Sequence, residues 1–170
     1  LERAKEMNLQ NFSMLCDFKN IRPVLDHLCQ DRECAIDGFL LPGHVAAVTG
    51  SDLFKGLPVP GGLSGFLPEN ILSSLALLLK EIANGGTSVL NNYPSTVVSA
   101  GNVEALKMIS AVFETADGEW RGLGNVPGGN WKIRREYSGF DAMERFSVLQ
   151  EPLPPHQDRG CRCGDVLKGR

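Results

Sequence analysis

Residues 37–50, DGFLLPGHVAAVTG, leave this chain few folds to choose from. Phe39, Leu40 and Leu41 form an unbroken apolar run, short for a helix and suited to a buried strand. Pro42 removes a backbone donor and Gly43 permits a tight turn, so the strand ends there. Val45, Ala46 and Val48 resume at once with helical spacing, and Gly50 stops the helix. A buried strand that runs straight into a helix is the first half of a strand–helix–strand unit. Such units build parallel sheets covered by helices.

The rest of the chain repeats that alternation. NFSMLC (11–16) reads as a strand, and IRPVLDHLCQD as a helix with Val24, Leu25, Leu28 and Cys29 on one face. AIDGFLL (35–41) is the next strand, and LPVP reads as a brief one. The turn SGF then leads into the longest helix, about 68–84, opened by Pro68, with an apolar stripe of Ile71, Leu72, Leu75, Leu78, Leu79 and Ile82. STVVSAG is extended, and NVEALKMISAVFE (102–114) is a second amphipathic helix. The expected fold class is α/β, a mainly parallel sheet with flanking helices (one Rossmann-like lobe) plus a loop-rich tail. Residues 1–149 hold the lobe, about 11–116, and a loop-rich extension, 117–149, in which FDAMERF adds a turn or two of helix. Residues 150–170 are a linker, QEPLPPHQD, and the start of a cysteine-rich tail.

Charge and composition narrow the function. A formal net charge of -3 gives no general attraction to phosphate backbones or anionic membranes, so nucleic acid and membrane are not expected partners. No apolar run reaches the roughly 18 residues that span a bilayer, and ILSSLALLLKEIA is interrupted by Ser73, Ser74, Lys80 and Glu81. Five cysteines, unevenly spread, do not form a disulfide framework and fit a reducing, cytoplasmic setting. The chain begins at Leu1, and LERAKEMN lacks the layout of a signal peptide, as expected of an excerpt or a processed product.

Three strings could carry chemistry. His44, one of three histidines, falls beyond the carboxyl end of a strand, where ligands bind in such sheets. A helix start favours a neutral imidazole able to donate, accept or bind a metal; the alternative is a ring that only packs the turn. In CRC, Cys161 and Cys163 project to the same side of an extended stretch and could share a soft metal. They supply two of the four ligands a zinc or iron–sulfur site needs. In EWRGLG, Trp120 can wedge beneath a sheet edge while Arg121 offers a planar fork to a carboxylate or phosphate, or simply pairs structurally. GGLSG lacks the order of a dinucleotide fingerprint, and no G-x-S-x-G or Ser/His/Asp set is present, so a free-standing enzyme has no catalytic constellation here.

Taken in order, NFSMLC, IDGFLLPGHV, a GF-x-P turn, NNYPSTVVSAGN, EWRGLG, FDAMERF and CRCGDVLKG resemble the carboxyl-terminal half of the HypD family of hydrogenase expression/formation proteins, over about residues 11–169. The resemblance implies two α/β lobes around a cleft and a domain with a [4Fe–4S] cluster. With a HypC-like chaperone the family serves as the scaffold on which the iron of the [NiFe]-hydrogenase centre receives cyanide, delivered by the HypF–HypE pair, and carbon monoxide. The Fe(CN)2CO unit then passes to the hydrogenase large subunit. It also implies that Pro42, Gly43 and His44, with Trp120 and Arg121, face the cleft or a partner, and that Cys161 or Cys163 is a cluster ligand.

This chain departs from the pattern in several places. The family's C-G-G-H-T-H and G-P-G-C-P-V-C segments, whose cysteines hold the transferred iron, do not occur, and neither do the later cluster cysteines. No stable [4Fe–4S] cluster is therefore expected in this chain alone. Phe18 stands where the family has a histidine, and Leu67 where it has an acid. The alternative function is a divergent interaction module that kept the fold and lost the metal chemistry.

Overall fold

The computed structural model describes residues 1–146 and 162–170; the proposed linker and Cys161 lie outside them. Its elements in chain order are α1 (Glu2–Glu6), α2 (Ile21–Gln30), β1 (Phe39–Pro42), α3 (Gly43–Thr49), β2 (Gly61–Ser64), α4 (Pro68–Ala83), β3 (Val89–Asn91), α5 (Val103–Val112), β4 (Phe113–Trp120), β5 (Gly124–Ile133), α6 (Ala142–Arg145) and α7 (Cys163–Leu167), with 3-10 turns at Ser51–Phe54 and Arg135–Phe140. The residues gather into two units, Val24–Lys107 with Lys168–Arg170, and Leu1–Pro23 with Met108–Leu167. The fold is α/β. No helix among the described residues is long and apolar enough to cross a membrane.

In the first of these units β1, β2 and β3 form a parallel sheet in that order, Leu40 opposite Gly62 and Leu63 opposite Asn91. The strand–Pro-Gly–helix reading holds: β1 ends at Pro42, α3 starts at Gly43, and Gly50 closes it at φ 84°. Glycine also sets how α4 lies on the sheet. A Cβ at Gly62 would stand 3.2 Å from the Ser74 carbonyl oxygen, and one at Gly38 would stand 3.1 Å from a Leu78 methyl, so α4 rests almost directly on the backbone. Leu41, Phe54, Leu63 and Val97 are fully buried here. Burying each such side chain contributes about 1.5–3 kcal/mol relative to exposure.

Several expected strands moved, each for a backbone reason. The run 35–41 pairs only from Phe39, because the Ala35 N–H donates to Lys168 at 2.8 Å. LPVP is not a strand: Pro58 and Pro60 lack the donors a ladder needs, and pairing starts at the following Gly61. STVVSAG gives way to β3 at Val89–Asn91, since the Val98 and Ser99 carbonyls accept the N–H groups of Ser51 and Asp52, both at 3.2 Å.

The last three residues tie down the loop after α2. Lys168 Nζ lies 2.9 Å from Asp31 Oδ2, and Arg170 donates twice to the Glu33 carbonyl oxygen, at 3.2 and 3.0 Å. The Lys168 ammonium, with the Glu33 N–H, holds the Asp31 carboxyl below its ordinary range, and Asp31 in turn raises Lys168. A depressed carboxyl stabilises above its unfolded pKa and loses that contribution as pH falls through the folded one. A raised ammonium stabilises below its unfolded pKa and loses it only as pH rises through the folded one. The clasp is thus expected to hold from about pH 5 to 10. Amide exchange at Ala35 should stay slow across that window, after correction for intrinsic rates, and accelerate near pH 3; the same rise already at pH 6 would contradict this assignment.

The second unit is built on an antiparallel hairpin, not on the expected loop-rich extension. β4 pairs with β5 from Phe113↔Ile133 to Trp120↔Gly124, with a bulge between Ala116 and Gly118. Val112, Ile133 and Tyr137 form its core, with Met14, Cys16, Phe113 and Phe140 packed around them. Burial raises the phenol pKa of Tyr137, and Lys5 Nζ lies 4.8 Å over its ring. Residues 11–16 are not a strand. Met14 makes one isolated bridge to Asp141, while the Cys16 thiol donates to the Trp131 carbonyl at 3.3 Å, so the segment divides its hydrogen bonds between two neighbours. FDAMERF forms one short helix, α6, capped by Asp141 accepting from the Met143 N–H.

Candidate functional site at the carboxyl edge of the parallel sheet

Three parallel strands end side by side, and each hands the chain to a turn. Pro42 leads into Gly43 and His44, Ser64 into Gly65 and Phe66, Asn91 into Asn92 and Tyr93. Gly43 and Gly65 are required for close approach. A Cβ on Gly43 would meet the Ser64 carbonyl oxygen and stand 2.8 Å from Tyr93 Cδ1; one on Gly65 would stand 3.3 Å from Tyr93 Cε2. The tyrosine ring therefore lies over both glycines.

His44 is exposed at the first turn of α3, and its ring meets Phe66 edge-on, with centroids 4.3 Å apart and planes at 70°. Phe66 is 63% exposed, so the pair stands at the rim and not in the core. Beside it Asn92 Nδ2 donates to Ser73 Oγ at 2.8 Å and Ser74 Oγ at 2.9 Å, and the Tyr93 N–H donates to Asn91 Oδ1 at 3.0 Å. These bonds fix the β3 turn. A depression of about 150 Å³ opens among Leu40, Pro42, Ser64, Phe66 and Ile71. Small-molecule sites usually enclose about 300–1,000 Å³, so this hollow fits a side chain or a small group. Leu67 precedes α4 as its N-cap and, having no polar atom, makes no side-chain cap.

Of the residues gathered at this edge, the sequence analysis names Pro42, Gly43 and His44 and does not name Phe66, Tyr93 and Asn92. The available signal was SVLNNY, where a short apolar run ends in polar turn residues; STVVSAG, seven residues on, carried more β-branched residues and drew the strand assignment.

Trp120, Arg121 and Cys163 belong to the other unit. Trp120 ends β4, is half-buried, and donates from Nε1 to the Gly129 carbonyl at 3.0 Å. Arg121 is exposed on the hairpin turn and lines a shallow depression with Arg162, Cys163, Val166 and Leu167. The two strings EWRGLG and CRCGDVL meet there. Gly122, at φ +87°, lies against α7 so closely that a Cβ would stand 2.7 Å from Gly164 Cα. Gly122→Ala is expected to loosen α7 and to speed labelling of Cys163 by a thiol reagent about tenfold, roughly 1.4 kcal/mol of local opening. Gly139→Ala, which meets nothing within 4 Å, is the control. Equal rates in the two variants would refute this contact.

Phe18, 46% exposed, packs its ring against Phe113 at 5.6 Å in this same unit, whereas Leu67 belongs to the unit with the parallel sheet. The Cys16 thiol donates to the Trp131 carbonyl, and burial raises its pKa, so it is held as a thiol. Among the described residues no three His, Cys, Asp or Glu side chains come together to hold a metal.

A parallel sheet flanked by helices, with an imidazole, two aromatic rings and amides at its carboxyl edge, defines an α/β protein. Residues 1–170 match the family described as HypD, Hydrogenase formation hypA family. The chain is 32% identical to the hydrogenase maturation factor HypD of Cupriavidus necator, over 99% of this chain and 47% of that protein. It is 33% identical to the HypD of Escherichia coli K12, over 100% of this chain and 46% of that protein. It is also 33% identical to a putative hydrogenase expression/formation protein of Methanocaldococcus jannaschii, over 97% of this chain and 46% of that protein. The chain belongs to the HypD family. It spans about half the length of the curated relatives it matches, a share consistent with the carboxyl-terminal half that its motifs resemble.

Proposed function

We propose that this chain forms one half of a hydrogenase maturation factor, a scaffold that helps assemble and hand on the Fe(CN)2CO unit of a [NiFe]-hydrogenase. The observation that carries the reading is the exposed His44–Phe66 pair at the carboxyl edge of the parallel sheet, in a chain that belongs to the HypD family. The iron unit is cargo here, held by thiolates that this sequence does not contain. Cyanide bound to iron keeps a basic nitrogen, and a ring N–H of His44 can donate to it from the rim. Phe66 and the small apolar hollow beside it exclude water from the ligand face. The chain orients the cargo and performs no bond-making step of its own.

Its partners in this reading are a HypC-like chaperone, a HypE-like cyanide donor and, at transfer, the hydrogenase large subunit, all in the cytoplasm. The resident [4Fe–4S] cluster of the intact family is not retained by this chain alone. Anaerobic reconstitution followed by gel filtration should leave no broad absorption at the blue edge of the visible.

The test is a chimaera. The corresponding half of the Escherichia coli factor is replaced by this chain and introduced into a strain lacking that factor. Restored hydrogenase activity, with co-elution of the chaperone under reducing, anaerobic conditions, is expected. The second reading, an interaction module that lost the chemistry, is favoured by Phe18 and Leu67 and predicts co-elution without activity. Loss of both overturns the two readings together.

A further inference from the structure

His44 and Phe66 each follow a glycine. Gly43 comes straight after β1 and Gly65 straight after β2, and both are buried. Glycine leaves the backbone freer than any other residue, so nothing in either turn's own sequence fixes where the next side chain stands. The two rings are exposed, and one edge contact between exposed rings is too weak to hold two such turns in a single geometry. Their positions must be set from beneath.

Tyr93 lies there. Its Cδ1 is 2.8 Å from where a Gly43 Cβ would stand, and its Cε2 is 3.3 Å from where a Gly65 Cβ would stand. Those two carbons are opposite corners of the same ring. One flat plate therefore runs from the first turn to the second, with no rotatable bond between its two contacts.

The plate is itself anchored. Pro94 keeps Tyr93 extended, the Tyr93 N–H donates to Asn91 Oδ1 at 3.0 Å, and its carbonyl accepts from the N–H groups of Thr96 and Val97 at 3.1 and 2.9 Å. The neighbouring residues are tied down as well. The Asn92 N–H donates to the Leu63 carbonyl at 3.2 Å, its side chain to Ser73 and Ser74 on α4, and Asn91 Nδ2 to the Val97 carbonyl at 2.9 Å. Leu63, Ser74 and Val97 are all buried. None of these contacts uses the phenol hydroxyl, so the spacing is the work of the ring.

We propose that Tyr93 is the positioning residue of the candidate site. Its ring is the rigid spacer that fixes the Gly43 and Gly65 turns and so brings the His44 imidazole edge-on to Phe66. Its place in function rests on the reading of His44 as the group that orients the cargo; the spacing itself does not.

The experiment is proton NMR of the 170-residue chain, following the imidazole C–H signals. With three histidines in the chain, His44→Gln assigns the His44 signals by their loss, and Phe66→Leu shows how far the Phe66 ring current displaces them. Tyr93→Phe should keep that displacement. Tyr93→Leu, bulky but not planar, should lose most of it, with the far-ultraviolet spectrum and the His27 signals as in the parent. In the parent itself, nuclear Overhauser contacts from the Tyr93 ring to the α-protons of both Gly43 and Gly65 are expected, a reading that no variant's folding can obscure. In the chimaera, Tyr93→Leu should lower maturation about as far as His44→Ala does, and Tyr93→Phe should recover most of that loss. Absent Overhauser contacts overturn the proposal, as do unmoved His44 signals in a folded Tyr93→Leu. A Tyr93→Phe that behaves like Tyr93→Leu overturns it too, since the hydroxyl would then be the acting group. So does a folded Tyr93→Leu chimaera that matures hydrogenase fully while His44→Ala does not. If the His44 signals move as expected and both chimaeras stay fully active, the spacer stands and the function read for the pair fails.

Discussion

Gly43→Val is expected to destabilise the parallel-sheet unit by about 3 kcal/mol, the upper end of what overpacking a close-packed site costs. The added carbons would enter space held by the Ser64 carbonyl and the Tyr93 ring. Neither can retreat cheaply. Ser64 is 4% exposed and locked opposite Pro42 by the ladder, and the Tyr93 turn is fixed by Asn91 and the two serine-bound amide bonds of Asn92. Relief must come from parting β1 and β2 at their carboxyl ends, which would also displace His44 from Phe66. Denaturant unfolding should show the lower midpoint, and amide exchange should place the loss in β1 and β2. Gly139→Val, in open space, should stay within about 0.5 kcal/mol of the parent. Equal midpoints for the two variants would show that the edge is not packed as described.

His44→Ala should do the reverse, leaving stability within about 1 kcal/mol and lowering hydrogenase maturation by the chimaera at least tenfold. The ring is exposed and meets the edge of another exposed ring, so little packing is lost. What is lost is the imidazole N–H at the sheet edge. His44→Gln keeps an N–H at similar reach and should recover part of the activity, which a purely steric role would not predict. Full activity in His44→Ala, with normal protein levels, would remove the imidazole from the proposed role. The two variants separate cleanly: one loses function with the fold, the other without it.

The strand–Pro-Gly–helix signature, the two long helices and the α/β class were all legible, because each rests on local rules that need no partner. Pro42, Gly50 and Pro68 act within one turn of themselves, and α2 declares its buried face by spacing alone, Val24, Leu25 and Leu28 all being buried. The motifs also carried the family, since their order is a property of the chain. The hairpin of β4 and β5 was hidden for a physical reason. FETADGEW and GNVPGGNWKI show no apolar alternation, and their ladder is held by backbone bonds and by a turn in which Gly122 and Gly124 take φ of +87° and +77°. Two valines in STVVSAG resembled a strand, yet those carbonyls were needed to satisfy the turn at Ser51 and Asp52.

The amino-acid sequence by itself determined which segments could be helix, where strands must stop, and that His44 would follow a strand end. Only the tertiary structure decided that Phe66 and Tyr93 join it, that Gly122 receives Gly164, and that half of the α4 leucine stripe stays bare. Those outcomes depend on which segments become neighbours, and pairing between distant segments is set by the sum of many weak contacts that no local pattern records.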